Sequence, residues 1–162
     1  MHTKKVKIEN QKVSVEIWDT NGQERFLQLA SSYYKNTEGI ILVYSIAERE
    51  SFENIEYWIK QIEQNSKKDV AKILVASKCD LKNSPDYVVE SEEGKKLAEK
   101  HKIKFFETSA KQNLNVDDAF IEISRQIVAK NNQKTEAVIK LSKRSMQESA
   151  PNAANSNSNC SC

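Results

Sequence analysis

The sequence predicts an α/β domain built on a mostly parallel sheet with helices on both faces. Residues 39–46 (GIILVYSI) and 72–76 (KILVA) are short, continuous apolar runs, the pattern of strands covered on both sides in a parallel sheet. Between and after them the apolar spacing changes to three and four, the period of amphipathic helices. Strands that alternate with helices are joined by crossovers, and crossovers lay helices on the two faces.

Each element follows from its own pattern. Val6, Ile8, Val13, Val15 and Ile17 alternate with polar residues around positions 9–12, as two half-buried strands of a hairpin do. Phe52, Ile55, Ile59 and Ile62 mark the first helix, with Ser51 as its expected N-cap. Residues 91–101 make a weaker, more polar helix, and residues 104–108 (KFFET) a third apolar strand. Val116, Ala119, Phe120, Ile123 and Ile127 mark the last helix, entered at Asn115 with Asp117 and Asp118 where the helix dipole favours negative charge. Near Lys130 the composition turns polar and ends in Ser and Asn repeats, so the domain is placed at residues 1–130 and a disordered tail at 131–162.

Composition narrows the function. A chain of 162 residues, 38% hydrophobic with 3 Gly and 2 Pro, has material for one core and no second domain. Lys and Arg total 25 against 23 Asp and Glu, and a net charge of +2 gives no field that predicts nucleic-acid binding. The opening residues lack the apolar stretch of a signal peptide, and no run approaches the roughly 18 apolar residues of a membrane span. Cys79 lies beside an apolar run while Cys160 and Cys162 close the chain, a layout with neither disulfide-framework nor zinc spacing. A reducing, cytosolic setting is therefore expected.

In sheets of this kind ligands bind where strands end, so the loops after the strands are the places to search. Behind Ile17 come Trp18, Asp19, Thr20, Asn21, Gly22, Gln23 and Glu24. A carboxylate there suits a magnesium ion held through water, and a glycine lets a backbone N–H approach a phosphate. Behind Ala76 come Ser77, Lys78, Cys79 and Asp80, where a carboxylate can accept two hydrogen bonds from a guanine edge. Behind Phe106 come Glu107, Thr108, Ser109, Ala110 and Lys111, short residues whose N–H groups can meet a base carbonyl. Taken singly, each is an ordinary turn.

In this order, each at a strand's end, the three stretches resemble the guanine-nucleotide-binding motifs of the small GTPases of the Ras superfamily. Residues 18–26 (WDTNGQERF) resemble the family's WDTAGQERF, residues 77–80 (SKCD) its NKxD, and residues 107–111 (ETSAK) its ETSAK. Tyr33, Tyr34, residues 42–44 and Trp58 are similar to the Rab branch. The resemblance implies a P-loop GTPase fold, GTP or GDP with Mg²⁺ as cofactors, and phosphoryl transfer to water. Asp19 would sit near magnesium, Gly22 would meet the γ-phosphate, and Gln23 would position the hydrolytic water. Lys78 would pack along the base, Asp80 would bond the guanine N–H and amine, and Ala110, between Ser109 and Lys111, would offer its amide to the guanine oxygen.

Three departures qualify that picture. Asn21 replaces a small Ala beside the γ-phosphate position, and Ser77 replaces the Asn that bonds the base. A lost polar contact of that sort is worth about 1 to 3 kcal/mol, up to a hundredfold or so in affinity. No G-x-x-x-x-G-K-[ST] occurs, and with glycine only at Gly22, Gly39 and Gly94 none is hidden. The family's phosphate loop, its first strand and first helix and the segment carrying a magnesium-binding Thr would all fall before Met1. The expectation is an incomplete chain that neither turns over GTP nor folds well alone, with a gap or a forced pairing between Val15 and Leu42. A non-hydrolysing interaction module is the alternative.

Cys160 and Cys162 look like the C-x-C terminus on which Rab proteins carry two geranylgeranyl groups. Two lipids suit stable anchoring, and a flexible tail of this length spans about 30 Å. By this resemblance the protein belongs on the cytoplasmic face of intracellular membranes with a soluble cytosolic pool. Its partners would be exchange factors, activating proteins and effectors of a vesicle-traffic switch.

Overall fold

The computed structural model describes residues 2–8, 11–19 and 34–148, with side chains as far as residue 133. The described strands form two sheets. The first is the hairpin of β1 (His2–Ile8) and β2 (Gln11–Ile17), antiparallel from His2 opposite Ile17 to Ile8 opposite Gln11. The second is parallel, in the order β3 (Gly39–Ser45), β4 (Ala71–Ser77), β5 (Lys104–Glu107). No ladder joins β2 to β3 among the described residues, so Val15 and Leu42 stand in separate sheets.

Burial explains why β4 is central. Ala71, Ile73, Leu74 and Ala76 are fully buried, because this strand has a neighbour on each edge and helices over each face. On one face α1 (Arg49–Asn65) brings Ile55, Ile59 and Ile62, and α2 (Ser91–His101) brings Leu97 and Ala98, against Leu42, Tyr44 and Leu74. On the other, α3 (Val116–Glu148) packs Ala119 and Ile123 against Ile73 and Val75. An ion pair between Lys4 and Asp117 ties β1 to the first turn of α3.

Two expected caps differ. α1 starts at Arg49 after Glu48, and Ser51 lies inside it, its hydroxyl donating to Glu48 O at 2.7 Å and accepting Ser45 N–H at 3.0 Å. The serine is drawn to the end of β3, whose backbone would otherwise lack a partner there. Asn115 precedes α3, and its carbonyl accepts Ala119 N–H, but its side chain donates to Glu107 O at 2.8 Å. Its φ of 54° is left-handed, which an asparagine tolerates better than most residues. Helix α2 carries a capping box, between Glu90 and Glu93.

The chain separates into compact units Met1–Ala129 and Lys130–Cys162. Helix α3 continues to Glu148, through residues expected in the tail, where 131–148 contain no Gly or Pro and include helix-forming Lys, Gln and Glu.

Tyr44 shows where packing is tightest. It is 1% exposed, and its hydroxyl has no hydrogen-bond partner. Burial, followed by the charge of Glu107, raises its pKa far above the phenol range. A Cβ on Gly94 would collide with that hydroxyl and reach 2.8 Å from the Phe105 ring. Tyr44→Phe removes a buried, unpaired donor and is expected to raise stability by about 1 kcal/mol. Gly94→Ala should cost about 1 to 3 kcal/mol, and less when combined with Tyr44→Phe. Urea denaturation of the three variants checks this; additive effects would contradict it.

Candidate functional site

The loops behind β4 and β5 meet because the strands are adjacent. Lys78 adopts a left-handed conformation, φ 62°, which turns the chain sharply into the short 3-10 helix Cys79–Leu81. Cys79 N–H then donates to Thr108 O at 3.0 Å, and Thr108 N–H to Ala76 O at 2.8 Å. Ser109, fully buried, donates its hydroxyl to Asp80 Oδ1 at 2.5 Å and accepts Gln112 N–H at 3.1 Å. Its backbone closes on Leu114 in both directions, a turn made with Asn113 at φ 52°.

Asp80 is thereby fixed as an ionised acceptor. The Ser109 hydrogen bond lowers its pKa, and the charges of Lys111 and Lys78 add to this. Burial with the negative charge of Glu107 raises the Cys79 thiol, so that cysteine is a packed side chain and not a nucleophile.

The two loops border one pocket of about 650 Å³. Ser77, Lys78, Asp80, Ala110 and Lys111 form its polar side, and Ile41, Val43, Val75 and Phe120 part of its apolar side. Of the residues singled out in the sequence, the pocket gathers those behind β4 and β5, with Ser109 braced behind Asp80. Asp19, exposed at the end of β2 in the other sheet, does not line it. Gly22 and Gln23 with Asn21, and Cys160 with Cys162, lie outside the described residues. No group of three or more His, Cys, Asp or Glu suited to a metal occurs among the described residues. None of the helices described is long and apolar enough to cross a membrane.

The Ser77 hydroxyl donates to Tyr44 O at 2.8 Å, toward β3.

A second clamp holds the loops together that sequence reasoning did not assign. Glu107 Oε2 accepts from Lys82 Nζ at 2.7 Å, Oε1 from the Ser91 hydroxyl, and Glu107 O from Asn115. Burial alone would raise this carboxyl, but the Lys82 and Ser91 bonds outweigh it and the pKa is lowered. Glu107 stood within the ETSAK motif; nothing in the pattern marked Lys82 as its partner.

A guanine ring presents an N–H and an amine side by side, and a carboxylate braced as Asp80 is can accept both. As an acceptor, Asp80 is of the kind such an edge requires. A phosphate or magnesium half is not assembled among the described residues, where Asp19 is the one member of the implied set.

A model of the Ras family matches residues 1–129, and the chain belongs to that family. Within it the chain is of the Rab type. It is 45% identical over 126 residues to Ras-related protein Rab-13 of Bos taurus, covering 78% of this chain and 61% of that protein. It is 43% identical over 131 residues to Ras-related protein Rab-8A of Rattus norvegicus, covering 81% and 62%. The chain thus spans less than two thirds of the length of these curated relatives.

Because Glu107 has a lowered pKa in the folded state, its stabilisation is complete above the ordinary glutamate value near 4.3 and is lost as pH falls through the lowered value. Glu107→Gln is expected to cost about 1 to 3 kcal/mol at neutral pH and to flatten the decline of stability below about pH 4. Denaturation curves across that range check it; an unchanged acid limb would contradict the assignment.

Proposed function

We propose that this chain is a guanine-nucleotide-binding protein of the Rab type, acting as a membrane-attached switch in vesicle traffic. The observation that carries the reading is the hydrogen bond from Ser109 to Asp80, which aims a fixed carboxylate into a pocket lined by Lys78, Ala110 and Lys111. In this reading Asp80 accepts from the guanine N–H and amine, the Lys78 stem covers the ring, and the Ala110 amide donates to the base oxygen. Bound GTP or GDP brings the phosphates and Mg²⁺. By the family resemblance Asp19 would hold the ion through water, Gly22 would meet the γ-phosphate, and Gln23 would orient the water for hydrolysis. Exchange factors, activating proteins and effectors read the state of the switch, and two prenyl groups on Cys160 and Cys162 hold it on the cytoplasmic face of intracellular membranes, with a soluble pool in the cytosol.

A second reading is an interaction module that binds the base weakly and does not hydrolyse GTP. The Ser77 hydroxyl supports it, since its proton is already committed to Tyr44 O within the sheet.

Titration calorimetry of the full chain with GDP tests the proposal. Binding in the micromolar to millimolar range is expected, and Asp80→Asn should weaken GDP by roughly tenfold or more while favouring xanthosine diphosphate. An unchanged preference for guanine would remove Asp80 from the site. Changing both Cys160 and Cys162 to Ser should move the protein to the soluble fraction of cells, and an unaltered membrane fraction would rule out the lipid anchor.

A further inference from the structure

Glu107 ends β5 opposite Ala76 of β4, at the root of both loops that border the pocket. Lys82 lies two positions after Asp80, and Ala110 three positions after Glu107. The bond from Lys82 Nζ to Glu107 Oε2, at 2.7 Å, therefore joins the loop that carries Asp80 to the loop that carries the Ala110 amide. The other carboxylate oxygen accepts from the Ser91 hydroxyl, in the first turn of α2. None of Lys82, Ser91 and Glu107 lines the pocket.

Both partners of the carboxylate are set by the fold around them. Ser91 N–H donates to the Tyr87 hydroxyl at 2.9 Å, and the box between Glu90 and Glu93 fixes the start of α2. Arg49 of α1 in turn donates to the two oxygens of Glu93 at 2.8 and 2.7 Å. On the β4 side, Cys79 N–H on Thr108 O anchors the residue before Asp80, and Lys82 anchors the turn after it. Asp80 is thus held along the chain from both directions. The side chain of Glu107 is only 24% exposed, so its bonds are better shielded than those of a surface ion pair.

We propose that Glu107 is a positioning residue for guanine: through Lys82 and Ser91 it holds Asp80 and the Ala110 amide at the spacing that lets one base meet both. This rests on the guanine reading of the pocket. A planar base cannot bend to follow a loop, so both contacts survive only while the two loops keep their separation. A carboxylate bonded from two sides cannot move toward one partner without weakening its bond to the other. The first turn of α2 thereby contributes to base binding without touching the base.

Amide resonances of the full chain, followed through a GDP titration, give the dissociation constant of each variant, and a thermal melt gives its stability. Lys82→Met keeps the apolar stem and removes the charge, while Ser91→Ala removes the second bond. Each should weaken GDP about three- to tenfold at a temperature where the variant is fully folded. Lys82→Arg keeps a cation within reach and should bind within about twofold of the wild type. Because both changes act on one carboxylate, the double variant should lose less than the product of the two single losses. A bond that serves folding alone would lower the melting temperatures and leave GDP binding by the folded variants unchanged; that result would overturn the proposal. Equal losses in Lys82→Arg and Lys82→Met would do the same. Should Lys82→Met fail to fold, Ser91→Ala decides, since it leaves the ion pair in place. A wild-type chain that does not bind GDP would remove the guanine reading and this proposal together, whereas wild-type binding with indifferent variants would remove the positioning role alone.

Discussion

The carboxylate of Asp80 and the hydroxyl of Ser109 sit on different loops, and the bond between them joins those loops into one surface. The bond exists because β4 and β5 are parallel neighbours whose carboxyl ends emerge side by side. The backbone reinforces it through Cys79 N–H on Thr108 O, and the Lys82 to Glu107 pair closes the same junction from the outer side. If the strands slipped in register by one residue, Ala76 would leave Glu107, and every one of these contacts would be lost together. The pocket is in this sense a property of strand pairing, and the polar side chains fix its final shape.

The same pairing is incomplete elsewhere. A two-stranded hairpin is marginal in isolation, and β1 with β2 is a sheet of that size. Its stability rests on what packs beside it, and Lys4 with Asp117 is an exposed ion pair of the sort that contributes little. The three-stranded sheet is better supported, with β4 sealed on both faces. Stability therefore concentrates around β4, where the proposed base site is built, and declines toward the outer edge of β3 and the hairpin.

The parts of the fold that the sequence revealed were those with strong periodicity. The buried runs of β3 and β4 and the spacing of Ile55, Ile59 and Ile62 depend on local pattern alone, and each element lies where it was expected. Side-chain choices at loop ends were less readable. Ser51 and Asn115 had the composition of helix caps, yet each was captured by a backbone group brought close by the tertiary fold. Ser77 and Lys82 follow the same logic, since their partners Tyr44 and Glu107 lie 33 and 25 positions away. Contacts of that range depend on which strands are neighbours, and a single sequence states this only indirectly.

The central claim is that the loops behind β4 and β5 alone form a guanine-selective surface. It is tested most directly by following the backbone amide resonances of the full chain while GDP or ADP is added. The account predicts saturable shifts for Lys78, Asp80, Ser109, Ala110 and Lys111 with GDP, and none at the same concentrations of ADP. Equal responses to the two nucleotides, or silence at these amides with millimolar GDP, would contradict it.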